Sequence, residues 1–272
     1  MTALPFRAFV SDMDGTLLNG NHVVGDFTRD TLEKLARKGV DIILATGRGY
    51  ADVVAQLRNM DIENAAMVTS NGAEVHNLKG ELLYSNYLPE DLAFDIMQEA
   101  FDNKRICLNT YQGDDWFINT DVPSLNKYHK DSGFSYQVVD FSQHHGRNTQ
   151  KVFFIGKTLE DLLPLEQRLK EKYGDRTSII YSTPQCLEVM NKNVSKATAL
   201  VQWVAHKDYQ LSDCIAFGDG LNDVEMLSEV GKGLVMGNAD PRLKTLLPDA
   251  EQIGLNTHES VASYVRAVFG IY

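Results

Sequence analysis

The chain lacks long apolar runs, is poor in cysteine and is short of positive charge, and each shortage closes off a class of function. No stretch of eighteen apolar residues occurs, so no segment is expected to span a bilayer as a helix. The opening Met1-Thr2-Ala3-Leu4-Pro5 has neither a basic flank nor an apolar h-region, so a secretion signal is not expected. Three cysteines occur, Cys107, Cys186 and Cys214, far apart and odd in number. They offer no C-x-x-C or Cys/His metal spacing and read as buried thiols in a reducing cytoplasm. The pair His144-His145 sits in a polar stretch without further ligands at metal spacing and reads as a solvated loop. A net charge of -11 argues against a nucleic-acid partner, which needs a basic face. The same charge gives no long-range pull on anionic substrates. A phosphate would have to be held locally, by a metal and a few placed cations.

What is present is enough chain for two domains, 272 residues at 43% hydrophobic. The first third alternates apolar strands with amphipathic helices: Phe6–Ser11, helix Thr28–Lys38, Val40–Ala45, helix Tyr50–Met60, Ala65–Thr69. This is the grammar of a parallel sheet with helical crossovers. Ala73–His76 and Glu81–Ser85 flank a Leu78-Lys79-Gly80 turn and read as a hairpin. From about Leu88 to Glu188 the order becomes helix, strand, strand, helix, strand, with strands at Arg105–Tyr111, Trp116–Asn119 and Lys151–Ile155 and a long helix at Thr158–Tyr173. Alternation then resumes: helix Val194–His206, strand Asp213–Phe217, helix Asn222–Val230, strand Gly233–Met236 and a last helix near His258–Phe269. The fold class expected is α/β: a doubly wound parallel-sheet core from residues 1–85 and 190–272, interrupted by an inserted α+β domain at 86–189.

Two acidic clusters about two hundred residues apart each follow an apolar strand. They are Asp12-Met13-Asp14-Gly15-Thr16 and Gly218-Asp219-Gly220-Leu221-Asn222-Asp223. Parallel strands end on one edge, where open α/β sheets bind ligands, so both clusters are expected there. Four carboxylates at one edge repel one another unless a cation intervenes, and Mg²⁺ is the hard cation held by carboxylates together with substrate phosphate. Asp12 at a strand tip suits nucleophilic attack on phosphorus. Asp14 suits proton transfer to the leaving oxygen, and its anionic neighbours would keep a proton on it for that step. Asp-Gly-Thr is equally what a turn with a helix cap looks like. Asp219 is a third carboxylate for the metal, Asn222 can reach a phosphate oxygen, and Asp223 can orient metal-bound water. An N-cap cluster would use the same residues. A calcium loop of EF-hand type fails, because its twelfth position falls on Val23 or Val230, and neither chelates. Thr46-Gly47-Arg48 at a strand-to-helix junction suits phosphate, or is an ordinary loop. Lys196 opens a helix, where the dipole disfavours a cation. A bound phosphate would account for it, though on its own it reads as a solvated lysine.

Together the segments at Asp12–Thr16, Thr46, Lys196 and Gly218–Asp223 resemble, in order and placement, the four motifs of the haloacid dehalogenase (HAD) superfamily of phosphatases. The insert resembles the C2-type cap of the Cof subfamily. The likeness within that group is to bacterial pyridoxal phosphate phosphatases, carried by Thr69-Ser70-Asn71-Gly72-Ala73, Cys186-Leu187-Glu188-Val189-Met190 and Cys214-Ile215-Ala216-Phe217-Gly218-Asp219. It implies Asp12 as nucleophile and Asp14 as acid and base. It implies Mg²⁺ on Asp12, Asp219 and the Asp14 backbone carbonyl, with Asp223 in support. It implies phosphoryl contacts from Met13 N–H, Thr46, Gly47, Lys196 and Asn222. Arg48 and Asn71 are further candidates for substrate contact. Ala197 departs from the pattern, where many relatives have glycine, and fits a helix well. The expectation is Mg²⁺-dependent hydrolysis of small phosphomonoesters, pyridoxal phosphate or sugar phosphates, through an aspartyl-phosphate. Neither nucleic acid nor membrane is an expected partner. A phosphomutase and a non-catalytic phosphometabolite binder are the alternatives, the second requiring neither Asp12 nor Asp14. In the cap, Tyr111, Asp114, Asp115 and Trp116 are candidate determinants of selectivity. The competing reading, slightly favoured, makes Tyr111 and Trp116 cap core and Gln112–Asp115 a hairpin turn.

Overall fold

The computed structural model describes residues 4–58, 60–129 and 132–272. The chain starts with β1 (Ala8–Ser11), every residue of which is buried. Helix α1 (Asp26–Arg37) turns Leu32 and Leu35 inward and ends where Gly39 takes a positive φ. Its first turn is capped across space: the Glu259 carboxylate accepts from the Thr28 N–H at 2.8 Å and from its hydroxyl at 2.7 Å. Next come β2 (Asp41–Ala45), α2 (Tyr50–Leu57) and β3 (Ala65–Thr69), then the hairpin β4 (Glu74–Asn77) and β5 (Leu82–Ser85).

The middle of the chain holds α3 (Glu90–Met97), β6 (Ile106–Gln112), β7 (Asp115–Ile118), β8 (Tyr136–Val138), β9 (Thr149–Gly156), α4 (Leu159–Tyr173), β10 (Thr177–Thr183) and β11 (Cys186–Asn191). The chain then runs through α5 (Lys196–Val204), β12 (Cys214–Gly218), α6 (Val224–Glu229), β13 (Lys232–Val235), α7 (Pro241–Leu246), β14 (Glu251–Gln252) and α8 (Ser260–Phe269). Among the described residues no helix is long and apolar enough to cross a membrane.

Two sheets result. The larger has the order β14-β13-β12-β1-β2-β3-β4-β5. It is parallel from β14 to β3 and antiparallel at β4 and β5. The smaller has the order β10-β11-β9-β6-β7-β8 and is antiparallel except where β7 meets β8. Each sheet has its own apolar core. Phe9, Ile43, Met67 and Phe217 belong to the first, and Leu92, Leu108, Phe154 and Leu187 to the second. The class is α/β with a parallel-sheet core, as the alternation predicts.

The middle segment differs in detail from its predicted order. Among the described residues it holds six strands, and Tyr136–Val138 is one the sequence does not announce, because three residues are too few to show alternation. The last of the six continues to Asn191. Trp116 and Tyr111 are core, packed edge to face with centroids 6.0 Å apart and flanked by Phe134, Phe153 and Tyr136. Gln112 pairs with Asp115 across a hairpin turn, leaving Asp114 exposed. His144 is not a solvated residue: its ring lies 4.5 Å from that of Phe117, and Nε2 is 2.6 Å from Gln112 Oε1. Cys107 and Cys214 are buried, and Cys186 only partly so.

Candidate active site

Register brings the acidic clusters together. β1 lies between β12 and β2, with Ser11 opposite both Phe217 and Leu44, so Asp12, Asp219 and Thr46 emerge from neighbouring strands at one edge. The Asp12 N–H still donates to Phe217 O at 3.0 Å, which fixes the first residue past β1 against β12. Gly15 then turns back with φ +77, and a Cβ there would collide with the Asp219 carboxylate. The Thr16 hydroxyl donates to Asp219 Oδ1 at 2.6 Å, across the two clusters.

The Asp12, Asp219 and Asp223 carboxylates each present an oxygen within 4.8 Å of the others. Lys196 is fully buried among them, its ammonium 2.5 Å from Asp12 Oδ1 and 2.7 Å from Asp223 Oδ1. That overturns the reading of a solvated lysine: the start of α5 is used to aim a cation at two acids. Asp223 stands at the N-cap position of α6 but its side chain makes no cap bond there. Its Oδ2 accepts from the Asp219 and Gly220 N–H groups at 3.0 and 2.9 Å, so both of its oxygens are engaged. Among the described residues Oδ2 of Asp12 and Oδ2 of Asp219 take no hydrogen bond.

With all three carboxylates ionised, one ammonium would leave two negative charges in a buried site. The acids respond to it. Burial, and then Asp223, push Asp219 up to about 7, with Thr16 and Lys196 opposing. Burial also drives Asp12 well above the usual carboxylate range, against the pull of Lys196. Burial alone would lower Lys196, but Asp12 and Asp223 outweigh it and hold it charged. A divalent cation would remove this excess, and the donor set, all carboxylate oxygen, is the kind Mg²⁺ takes.

Asp14 stands apart. It is half exposed, and Arg48 grips it through two 2.6 Å bonds from Nε and one terminal nitrogen. The charge in contact with Asp14 is thus a guanidinium, a partner the sequence did not suggest. Arg48, expected to face substrate, is engaged with Asp14 instead. Thr46 is buried and its Oγ1 accepts from Arg48 N–H at 3.1 Å, which leaves its hydroxyl proton available. Met13 is wholly buried in the turn Met13–Leu17. Gly47 lies under the Asn71 side chain, with its carbonyl accepting from Lys151.

Asn71, the other candidate for substrate contact, is likewise occupied. Its Oδ1 accepts from Asn222 Nδ2 at 2.9 Å and its Nδ2 donates to Glu188, on the smaller sheet. Sequence reasoning gave no role to Glu188, Gln150, Lys151 or Asn238. Asn238 Nδ2 donates to Gly15 O at 2.7 Å and its Oδ1 accepts from Asn256 N–H, tying the first acidic turn to the loop after β13. Its position just past a third neighbouring strand end was the available signal.

The chain matches the family model for haloacid dehalogenase-like hydrolases over residues 9–265. A Haemophilus influenzae protein, provisionally named a phosphatase, is 58% identical over 268 residues, 98% of each chain. An HMP-PP phosphatase of Escherichia fergusonii is 36% identical over 259 residues, 95% of this chain and 94% of its own. The solved structure of a HAD subclass IIB sugar phosphatase has the same fold, with a TM-score of 0.79 at 22% identity over 98% of this chain and 100% of that one. With the match running nearly end to end, and to relatives that carry a phosphatase name, the chain belongs to the haloacid dehalogenase-like hydrolase family and is an enzyme, a phosphatase.

Proposed function

We propose that this phosphatase hydrolyses small phosphomonoesters with Mg²⁺, through a phosphoryl group carried on Asp12. The observation that supports it is the excess of two negative charges where Asp12, Asp219 and Asp223 meet Lys196. Asp12 and Asp219 each keep an uncommitted oxygen and would hold the ion, with Asp223 fixing the loop that carries Asp219. Bound there, Mg²⁺ would offset charge on the phosphoryl oxygens and keep Asp12 ionised.

The residues themselves do the rest. Asp12 attacks phosphorus and the ester P–O bond breaks. An arriving phosphate competes with Asp14 for Arg48. Once Arg48 turns to the anion, Asp14 is free to hold a proton and pass it to the leaving oxygen. Water then attacks the phosphoryl group on Asp12, Asp14 takes the proton back, and inorganic phosphate departs. The Thr46 hydroxyl, Gly47 and Met13 N–H groups, Lys196 and Asn222 surround the oxygens and supply positioning and charge, which is most of what phosphoryl transfer needs. The inserted unit, from about residue 86 to the end of β11 at Asn191, acts as a cap over the site, excludes bulk water and contributes selectivity.

For the substrate, motif likeness favours pyridoxal phosphate, with sugar phosphates next. A second reading, HMP-PP, is favoured by the relative at 36% identity. The deciding experiment is phosphate release across a metabolite panel holding all three, with Mg²⁺, and Asp12→Asn as the blank. One ester should stand out in kcat/KM. Phosphate release by the blank at the wild-type rate would defeat the covalent mechanism.

A further inference from the structure

Three consecutive residues between β3 and β4 have positive φ: Ser70 at 48°, Asn71 at 60° and Gly72 at 102°. Only the last is a glycine. Left-handed backbone at two successive L residues is strained and persists where the surroundings hold it. Here the surroundings are the two sheets.

From the core side the loop touches three segments of the site. The Asn71 N–H donates to Thr46 O and the Ser70 N–H to Arg48 O, both at 2.9 Å. Asn71 Oδ1 holds Asn222. Gly72 lies against Ser195 O, the residue before Lys196, so closely that no Cβ would fit. From the other sheet come two bonds to its side chains. Ser70 Oγ donates to Gln150 Oε1 at 2.5 Å, and Asn71 Nδ2 donates to the Glu188 carboxylate. Gln150 and Glu188 are both at least nine-tenths buried. Glu188 is itself fixed by Lys151 at 2.7 Å, whose ammonium also donates to Gly47 O at 2.8 Å.

We propose that Glu188 and Gln150 are positioning residues for the phosphoryl pocket. With the cap docked they hold the Ser70–Asn71–Gly72 loop in its left-handed form, and that loop sets Asn222 and the Thr46–Arg48 segment. The cap then does more than cover the substrate. Its docking completes the pocket from behind, through Asn71, without touching the ester. The inference rests on the phosphatase reading above. It also gives Asn71 a different task from direct contact with the leaving group.

The test is a double-mutant cycle on the full chain with Mg²⁺, using p-nitrophenyl phosphate and pyridoxal phosphate. Glu188→Ala should lower kcat about ten- to hundredfold while KM stays within about threefold, because the phosphoryl group is common to every ester. The factor should be the same for both esters, and Asn71→Ala should cost as much. The double variant should be no worse than the poorer single one, since both act through one path. Glu188→Gln, which keeps an acceptor oxygen for Asn71, should restore most of the rate. Should Glu188→Ala leave Lys151 unpaired and fail to fold, the uncharged pair Ser70→Ala and Gln150→Ala runs the same cycle on the other bond. Losses that multiply, or that differ between the two esters, overturn the proposal and make Glu188 a substrate contact. A wild-type protein that releases phosphate from neither ester, nor from any of the panel, removes the phosphatase reading instead.

Discussion

The two sheets bury charge in opposite ways. At the edge of the larger, three carboxylates share one lysine. Beneath the smaller, Lys151 and Glu188 pair one to one at 2.7 Å, with Ser182 Oγ donating at 3.1 Å and the Tyr111 and Phe153 rings against the ammonium. A buried ion costs several kcal/mol unless it is paired and hydrogen-bonded. The second group is complete as it stands and needs no ligand. The first is not: its leftover charge is what a bound cation would offset. Burial of acids alone would not have told the two apart; their balance does.

The largest expected effect breaks the unbalanced side at Asp12, the nucleophile proposed above. Asp12→Asn should lower turnover by about 10⁴-fold or more while leaving the fold intact, since it removes one charge from a crowded cluster. Phosphate release and a thermal melt check both halves. Activity near wild type would place Asp12 with the structural charges of the smaller sheet.

Removing the lysines sharpens the contrast. Lys196→Met strips the single cation from the cluster and Lys151→Met orphans Glu188. Each should cost about 3–5 kcal/mol of stability in metal-free protein. Mg²⁺ should return part of the loss to Lys196→Met and none to Lys151→Met. Denaturant melts with and without Mg²⁺ read this directly, and equal rescue of both would mean the ion binds elsewhere.

Metal itself comes next. EDTA should silence the enzyme, and added Mg²⁺ should restore it. At a concentration of 100 times its Kd the ion should stabilise the wild type by about 2.7 kcal/mol. Asp219→Asn should lose most of that gain, whereas Glu188→Gln should keep it. Full activity after exhaustive chelation would refute the metal assignment.

Much of this arrangement was legible in the chain, for identifiable reasons. The parallel strands Ala8–Ser11, Asp41–Ala45 and Ala65–Thr69 are mostly apolar, fully buried and ended by polar loops, and a parallel sheet must put those ends on one edge. That is why Asp12 and Asp219 could be placed together across about two hundred residues. What stayed hidden depends on contact between elements. Nothing local to Lys196 says whether it faces water or Asp12. Nothing near Asp14 names Arg48 as its partner. The bonds of Glu188 to Asn71 and of Gln150 to Ser70 join the two sheets over separations of 117 and 80 residues, and no periodicity encodes them. The aromatic core of the smaller sheet was readable as aromatic residues on adjoining strands. Its shortest strand was not.

The smallest effect concerns another buried carboxyl, Glu74 on β4, which among the described residues has neither a lysine partner nor a place in a metal-ligand cluster. The Tyr87 hydroxyl donates to it at 2.6 Å, Gln150 Nε2 at 3.0 Å, and the His76 ring lies 4.0 Å away. Burial is the main influence and pushes it up to about 7, from an ordinary 4.5. The folded protein therefore holds this proton more tightly than the unfolded chain. Below about 4.5 both states are protonated, and above about 7 both have lost the proton. In between, stability falls as pH rises, because the folded state must bury a charge it would rather not carry. Glu74→Gln keeps acceptors for Tyr87 and Gln150 and never ionises. It should match the wild type near pH 4.5 and exceed it at pH 8 by about 2 kcal/mol, after allowing for water at the seam. Paired melts at the two pH values test the sign. A variant less stable than wild type at pH 8 would mean that the Glu74 charge has a cationic partner after all, and would move it into the balanced class with Glu188.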